Sequence, residues 1–135
     1  MENERSAYKD YSALVICHFL LHHVMQFSRE LMKGTAEIIV LQALDEVGEA
    51  YGYQMIKTIQ TSSDNVFEFQ EGTLYPLLYR LEQKKYVISQ EKKTTNGKTR
   101  RYYSLTKSGK KLLQSRTKEI GLFLNSLKQV LHLPS

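Results

Sequence analysis

Between residues 86 and 111, eight basic side chains accompany a single acidic one, Glu91, with tyrosines interleaved among them. Ammonium and guanidinium groups at this density do one kind of chemistry well: they neutralise phosphates and release the counterions condensed on a polyanion. Lys92, Lys93, Lys98 and Arg100 are the candidates for that task. The bulk charge conceals them. The chain carries only +5, from 19 Lys and Arg against 14 Asp and Glu, and residues 1–85 hold more acids than bases. Charge alone fits a solvated hairpin equally well, so the elements around it must decide.

Other chemistries find little support. The sequence has no G-x-S-x-G, P-loop or H-E-x-x-H motif and no paired acids in a recognisable context. Cys17, the only cysteine, sits in an apolar run without an adjacent cation, as a buried hydrophobe would. These residues point away from an enzyme and require no cofactor. His18 and His22 have the i, i+4 spacing of metal ligands and His23 adjoins them, but no nearby Cys, Asp or Glu completes a set, so a partly exposed helix face is favoured over a metal site. A single cysteine permits no internal disulfide, which fits a reducing, cytoplasmic setting. The longest apolar run, Ala13 to Leu21, falls well below the roughly 20 residues that cross a bilayer, and no membrane partner is expected.

At 135 residues, 41% apolar and 24% charged, the chain has the make-up of one globular unit with an appendage. Residues 1–27 form the appendage, with a helical pattern from residue 13 and no assigned role. Met25 offers an alternative start, since MQFSRELMKG leads straight into the first patterned helix. That helix is expected over residues 29–47, with Ser28 as N-cap, Glu30 in the first turn, two apolar faces and Gly48 as its stop. A second helix follows from Tyr53 to Thr61 with Tyr53, Ile56 and Ile59 inward, and VFEFQ at 66–70 alternates like a small strand.

The third helix positions the chemistry. Leu74, Leu77, Leu78 and Leu81 recur at i, i+3, i+4 and i+7, leaving Tyr75, Pro76, Tyr79 and Gln83 on the opposite face. Pro76 fits best in a first turn, which makes Thr73 the N-cap, or else the helix starts earlier and bends at Pro76. YVISQEKK and TRRYYSL then enclose TTNGK, whose Asn96-Gly97 is a strong hairpin signal. Leu105, Tyr103 and Arg101 share one face of the second strand and read as structural; Ser104, Tyr102 and Arg100 share the other. Thr106 caps a last helix to about His132, where Ile120, Leu124, Leu127 and Leu131 have the a/d rhythm of a helix pairing with another helix.

Three helices, a basic hairpin and a final helix are the layout of a winged helix-turn-helix: a mainly α fold with a small β-hairpin, over residues 28–105, plus a C-terminal dimerisation helix over 106–135. In that layout Tyr75 and Tyr79 touch the groove or else merely cover the hairpin, and Gly72 either lets backbone approach phosphate or simply permits the turn. The same layout kept only for protein interaction is the rival reading.

EGTLYPLLYRLEQKKYV followed by GKTRRYYSLTKSGKKLL, with RELMKGTAEIIVLQAL and YGYQMIKTI upstream, resembles the PadR family of bacterial transcriptional regulators over about Arg29 to Leu113. One further helix after that match makes the chain similar to the short members. The resemblance implies a homodimer joined by the last helix, a two-fold symmetric double-stranded DNA operator, and repression relieved by a small molecule. It maps DNA contact onto Thr73, Tyr75, Tyr79, Lys98 and Arg100, and a hydrophobic or aromatic effector near Phe123 and Leu127 at the dimer interface.

Overall fold

The computed structural model describes residues 27–135. The histidine cluster, Cys17 and the Met25 start lie outside the described residues.

Helix α1, Arg29–Met32, is one turn, capped by Ser28 Oγ, which accepts from the Leu31 N–H at 3.2 Å. The expected single helix over 29–47 is broken here. Lys33 is extended and Gly34 has φ +89°, a conformation that any residue with a β-carbon resists. Helix α2, Ala36–Val47, then begins afresh and stops at Gly48, φ +88°, whose N–H reaches the Leu44 carbonyl. It buries Val40, Leu41, Ala43 and Leu44.

Helix α3, Gly52–Ser62, has the Gln54 carboxamide accepting from the Tyr51 N–H at its start. Its buried stripe is Gly52, Met55 and Ile59, spaced three and four apart. That phase turns Tyr53 outward at 55% exposure, contrary to the inward placement expected from sequence. The stretch 66–70 is not a strand: it pairs with no other segment among the described residues, and its alternation reflects Phe67 and Phe69 packing on the core.

Helix α4, Glu71–Gln83, takes Gln70 as N-cap, so Thr73 sits inside the first turn rather than capping it, and Pro76 lies within the helix. The four leucines of the stripe are all buried, as their spacing requires. After the helix the Lys85 N–H bonds the Glu82 carbonyl and the Tyr86 N–H the Leu81 carbonyl, a Schellman closure in which Lys85 takes φ +63°.

Strands β1, Val87–Lys93, and β2, Thr99–Leu105, pair antiparallel with Val87 opposite Leu105 and Lys92 opposite Arg100. The connection is longer than the two-residue turn that Asn-Gly suggests. Thr94 and Lys98 still bond (2.7 Å), leaving a three-residue loop in which Gly97 supplies the positive φ, +79°. Ala50 adds a third rung: its N–H and carbonyl both bond Tyr103, at 3.0 and 2.8 Å, tying the α2–α3 turn to the hairpin.

Helix α5, Lys107–Leu131, is capped by Thr106, whose Oγ1 accepts from the Gly109 N–H at 3.0 Å. Gly109 lies directly on the Tyr86 carbonyl, where no β-carbon would fit. Leu113 enters the common core with Leu41, Leu44, Met55, Leu74, Leu78, Leu81 and Val87. Beyond Ile120 the helix runs mostly exposed.

Candidate nucleic-acid interface

Burying the leucine stripe of α4 fixes what its other face offers. Gly72, Thr73, Tyr75, Pro76, Tyr79 and Arg80 are exposed together. Tyr79 stands clear at 66% exposure. Tyr75 is more constrained, its ring tip lying over the start of α3: a β-carbon added at Gly52 would come within 2.5 Å of the Tyr75 hydroxyl oxygen. Arg80 and Lys84 each approach Glu37 to 4.0 Å, so α2 shares their charge.

The hairpin presents two different faces. On the side towards α4, Arg101 donates to Ser89 Oγ and Glu91 Oε1, both at 2.9 Å, and Ser89 in turn donates to Glu82 at 2.8 Å. Tyr103 is buried there; desolvation first, then the Glu82 carboxylate, raise its phenol above the ordinary value and keep it neutral. Arg101 is thus tied within the hairpin, and Tyr103 packs into the core. A groove runs between this face and α4, walled by Tyr75, Tyr79, Arg80 and Arg101.

The other face holds Lys92 and Arg100, cross-strand partners of like charge. Such pairs repel. Each is met by a residue of the α2–α3 turn: Lys92 Nζ lies 2.6 Å from Glu49 Oε1, and the Arg100 guanidinium stacks 4.2 Å over the Tyr51 ring. Tyr51 in turn meets Tyr102 edge-on, with centroids 5.5 Å apart, and Lys92 covers Tyr102. Lys93 and Lys98, near the loop, are exposed. Sequence reasoning missed Glu49, Tyr51 and Gly52; the only local signal is a glycine between two tyrosines ahead of a helix.

A family model described as the transcriptional regulator PadR-like family matches residues 40–115, which span α2 to the first part of α5. The chain belongs to the PadR-like family. An uncharacterised protein from Lysinibacillus sphaericus is 30% identical over 106 residues, covering 73% of this chain and 96% of its own. A transcriptional regulator structure from Clostridium thermocellum is 30% identical, with a TM-score of 0.67 over 74% of this chain and 96% of that one. A PadR family transcription regulator from Clostridium difficile is 29% identical, with a TM-score of 0.63 over 73% and 99%. The expected mainly helical fold with a winged hairpin is thus that of a family of transcriptional regulators, which supports a DNA-binding regulator.

In this PadR-like chain the residues picked for pairing are distributed unevenly along α5. Ile120 and Leu127 are half-buried, while Phe123 at 61%, Leu124 at 47% and Leu131 at 43% are open. Ile120 and Leu124 also wall an apolar groove of about 610 Å³ with Phe27, Leu31, Met32 and Ile39; Phe123 and Leu127 lie outside it. Among the described residues no helix is long and apolar enough to cross a membrane, and no group of His, Cys, Asp or Glu is placed to hold a metal.

Proposed function

We propose that this PadR-like protein is a sequence-specific, double-stranded DNA-binding repressor that acts as a homodimer and is released by a hydrophobic or aromatic small molecule. The observation that carries the reading is the pairing of an exposed polar and aromatic face on α4, from Gly72 to Tyr79, with a rigidly held basic hairpin beside it. In such a pair the helix enters the major groove and the wing holds the adjacent backbone. Thr73, Tyr75 and Tyr79 meet base edges and sugars, the backbone at Gly72 approaches phosphate, and Lys92, Lys93, Lys98 and Arg100 meet phosphates.

Dimerisation is supported by the open apolar residues of α5, chiefly Phe123, Leu124 and Leu131. Two such heads would read half-sites about one DNA turn apart, roughly 34 Å. The groove beside α5 has the apolar lining suited to a hydrophobic effector. The deciding experiment is a fluorescence-anisotropy titration with the duplex upstream of the protein's own gene and a scrambled duplex of equal length, at two salt concentrations. Tighter binding to the upstream duplex that persists at the higher salt is the expected result. Equal binding to both, erased by salt, would overturn sequence-specific recognition of that duplex.

A further inference from the structure

Among the described residues, Glu49 is the one acid set directly against the phosphate-facing charges of the wing, and it belongs to neither the wing nor α4. It sits in the α2–α3 turn, with its carboxylate 2.6 Å from Lys92 Nζ. Both side chains remain about two-fifths exposed, so the pair is wet, and an exposed ion pair adds little to folding. The hairpin does not need it as an anchor, because two backbone bonds between Ala50 and Tyr103 and the stack of Arg100 on Tyr51 already fix the wing to the same turn. A carboxylate oxygen on a lysine ammonium has the chemistry and geometry of a phosphate oxygen there.

We propose that Glu49 is an intramolecular stand-in for a DNA phosphate, which occupies Lys92 in the free protein and so holds down the sequence-independent part of its DNA affinity. The inference rests on the DNA-binding reading above. For Lys92 to engage a phosphate it must release Glu49, and the freed carboxylate then lies close to the DNA backbone and repels it. The gain from the lysine contact is offset twice. Arg100, directly opposite, has a neutral ring as its partner and suffers no such offset. Contacts of α4 with base edges do not involve Glu49, so the restraint falls on phosphate-driven binding to any sequence.

The test is a double-mutant cycle read by anisotropy on a labelled duplex of random sequence across a salt series. Glu49→Gln should tighten binding by about three- to tenfold and steepen the slope of log affinity against log salt by up to about 0.9, the value for one added phosphate contact. Glu49→Asp keeps the charge and should retain the wild-type slope. Lys92→Gln should cost about twofold in the wild-type background and about tenfold in Glu49→Gln. Unchanged or weaker binding by Glu49→Gln, or an equal cost of Lys92→Gln in both backgrounds, would overturn the proposal while wild-type binding still upholds the DNA reading. A wild-type protein that binds no duplex at low salt would overturn both.

Discussion

Lys98 stands near the tip of the wing with solvent around it, whereas Lys92 on the preceding strand shares its charge with Glu49, and Arg100 is braced on Tyr51. The exposed and the braced cations should therefore dominate phosphate binding. Lys98→Ala with Arg100→Ala is expected to weaken DNA binding on every sequence and to flatten the salt slope by about 1.8 for the pair, measured by anisotropy. An unchanged slope would remove the wing from the interface. Gly109 presents a different single-residue constraint, since its Cα lies against the backbone of Tyr86 and not against a side chain that could swing away. Gly109→Ala must push α5 off the base of the hairpin. A loss of about 2–4 kcal/mol in stability, seen as a lower midpoint in urea denaturation, is expected.

Each element was legible in the sequence to the degree that its determinants were local. The leucine stripe of α4, the stop at Gly48 and the Thr106 cap depend on residues within a turn or two of one another, and the structure keeps all three. The same local logic misread Gly34 as helical and Tyr53 as core, because only the packing of α2 and α3 against the rest settles which phase each helix takes. VFEFQ alternates as a strand does, but a strand needs an edge to join, and Phe67 and Phe69 bury without one. In the candidate site, Tyr79, Lys93 and Lys98 are exposed. Glu49 on Lys92 and Ala50 on Tyr103 are contacts between distant parts of the chain and leave no periodic trace. Lys85 is a further element-scale case: it closes α4 at φ +63°, where a side chain is strained. Lys85→Gly should stabilise the fold by about 0.5–1 kcal/mol, read from chemical denaturation, and a loss of stability would mean that its side chain contributes more than its backbone costs.

At the scale of the whole molecule, the core is completed by the first part of α5, and the second part is left facing solvent with Leu122, Phe123, Leu124 and Val130 exposed. Leu124→Glu is expected to leave the monomer fold intact, since Leu124 is outside the buried core, and to shift the protein to a monomer in analytical ultracentrifugation. A variant that still sediments as a dimer would place the interface elsewhere. The root of α5 is gripped on three sides, by the Thr106 cap, by the Lys85 carbonyl that accepts from Thr106 and Ser108, and by the Gly109 contact. A helix of 25 residues is about 37 Å long, so α5 is a stiff lever clamped to the base of the wing. Tilting it by roughly 5° would carry its far end through about 3 Å. The groove at Ile120 and Leu124 lies about halfway along that arm, so anything wedged there would steer the orientation of the whole head.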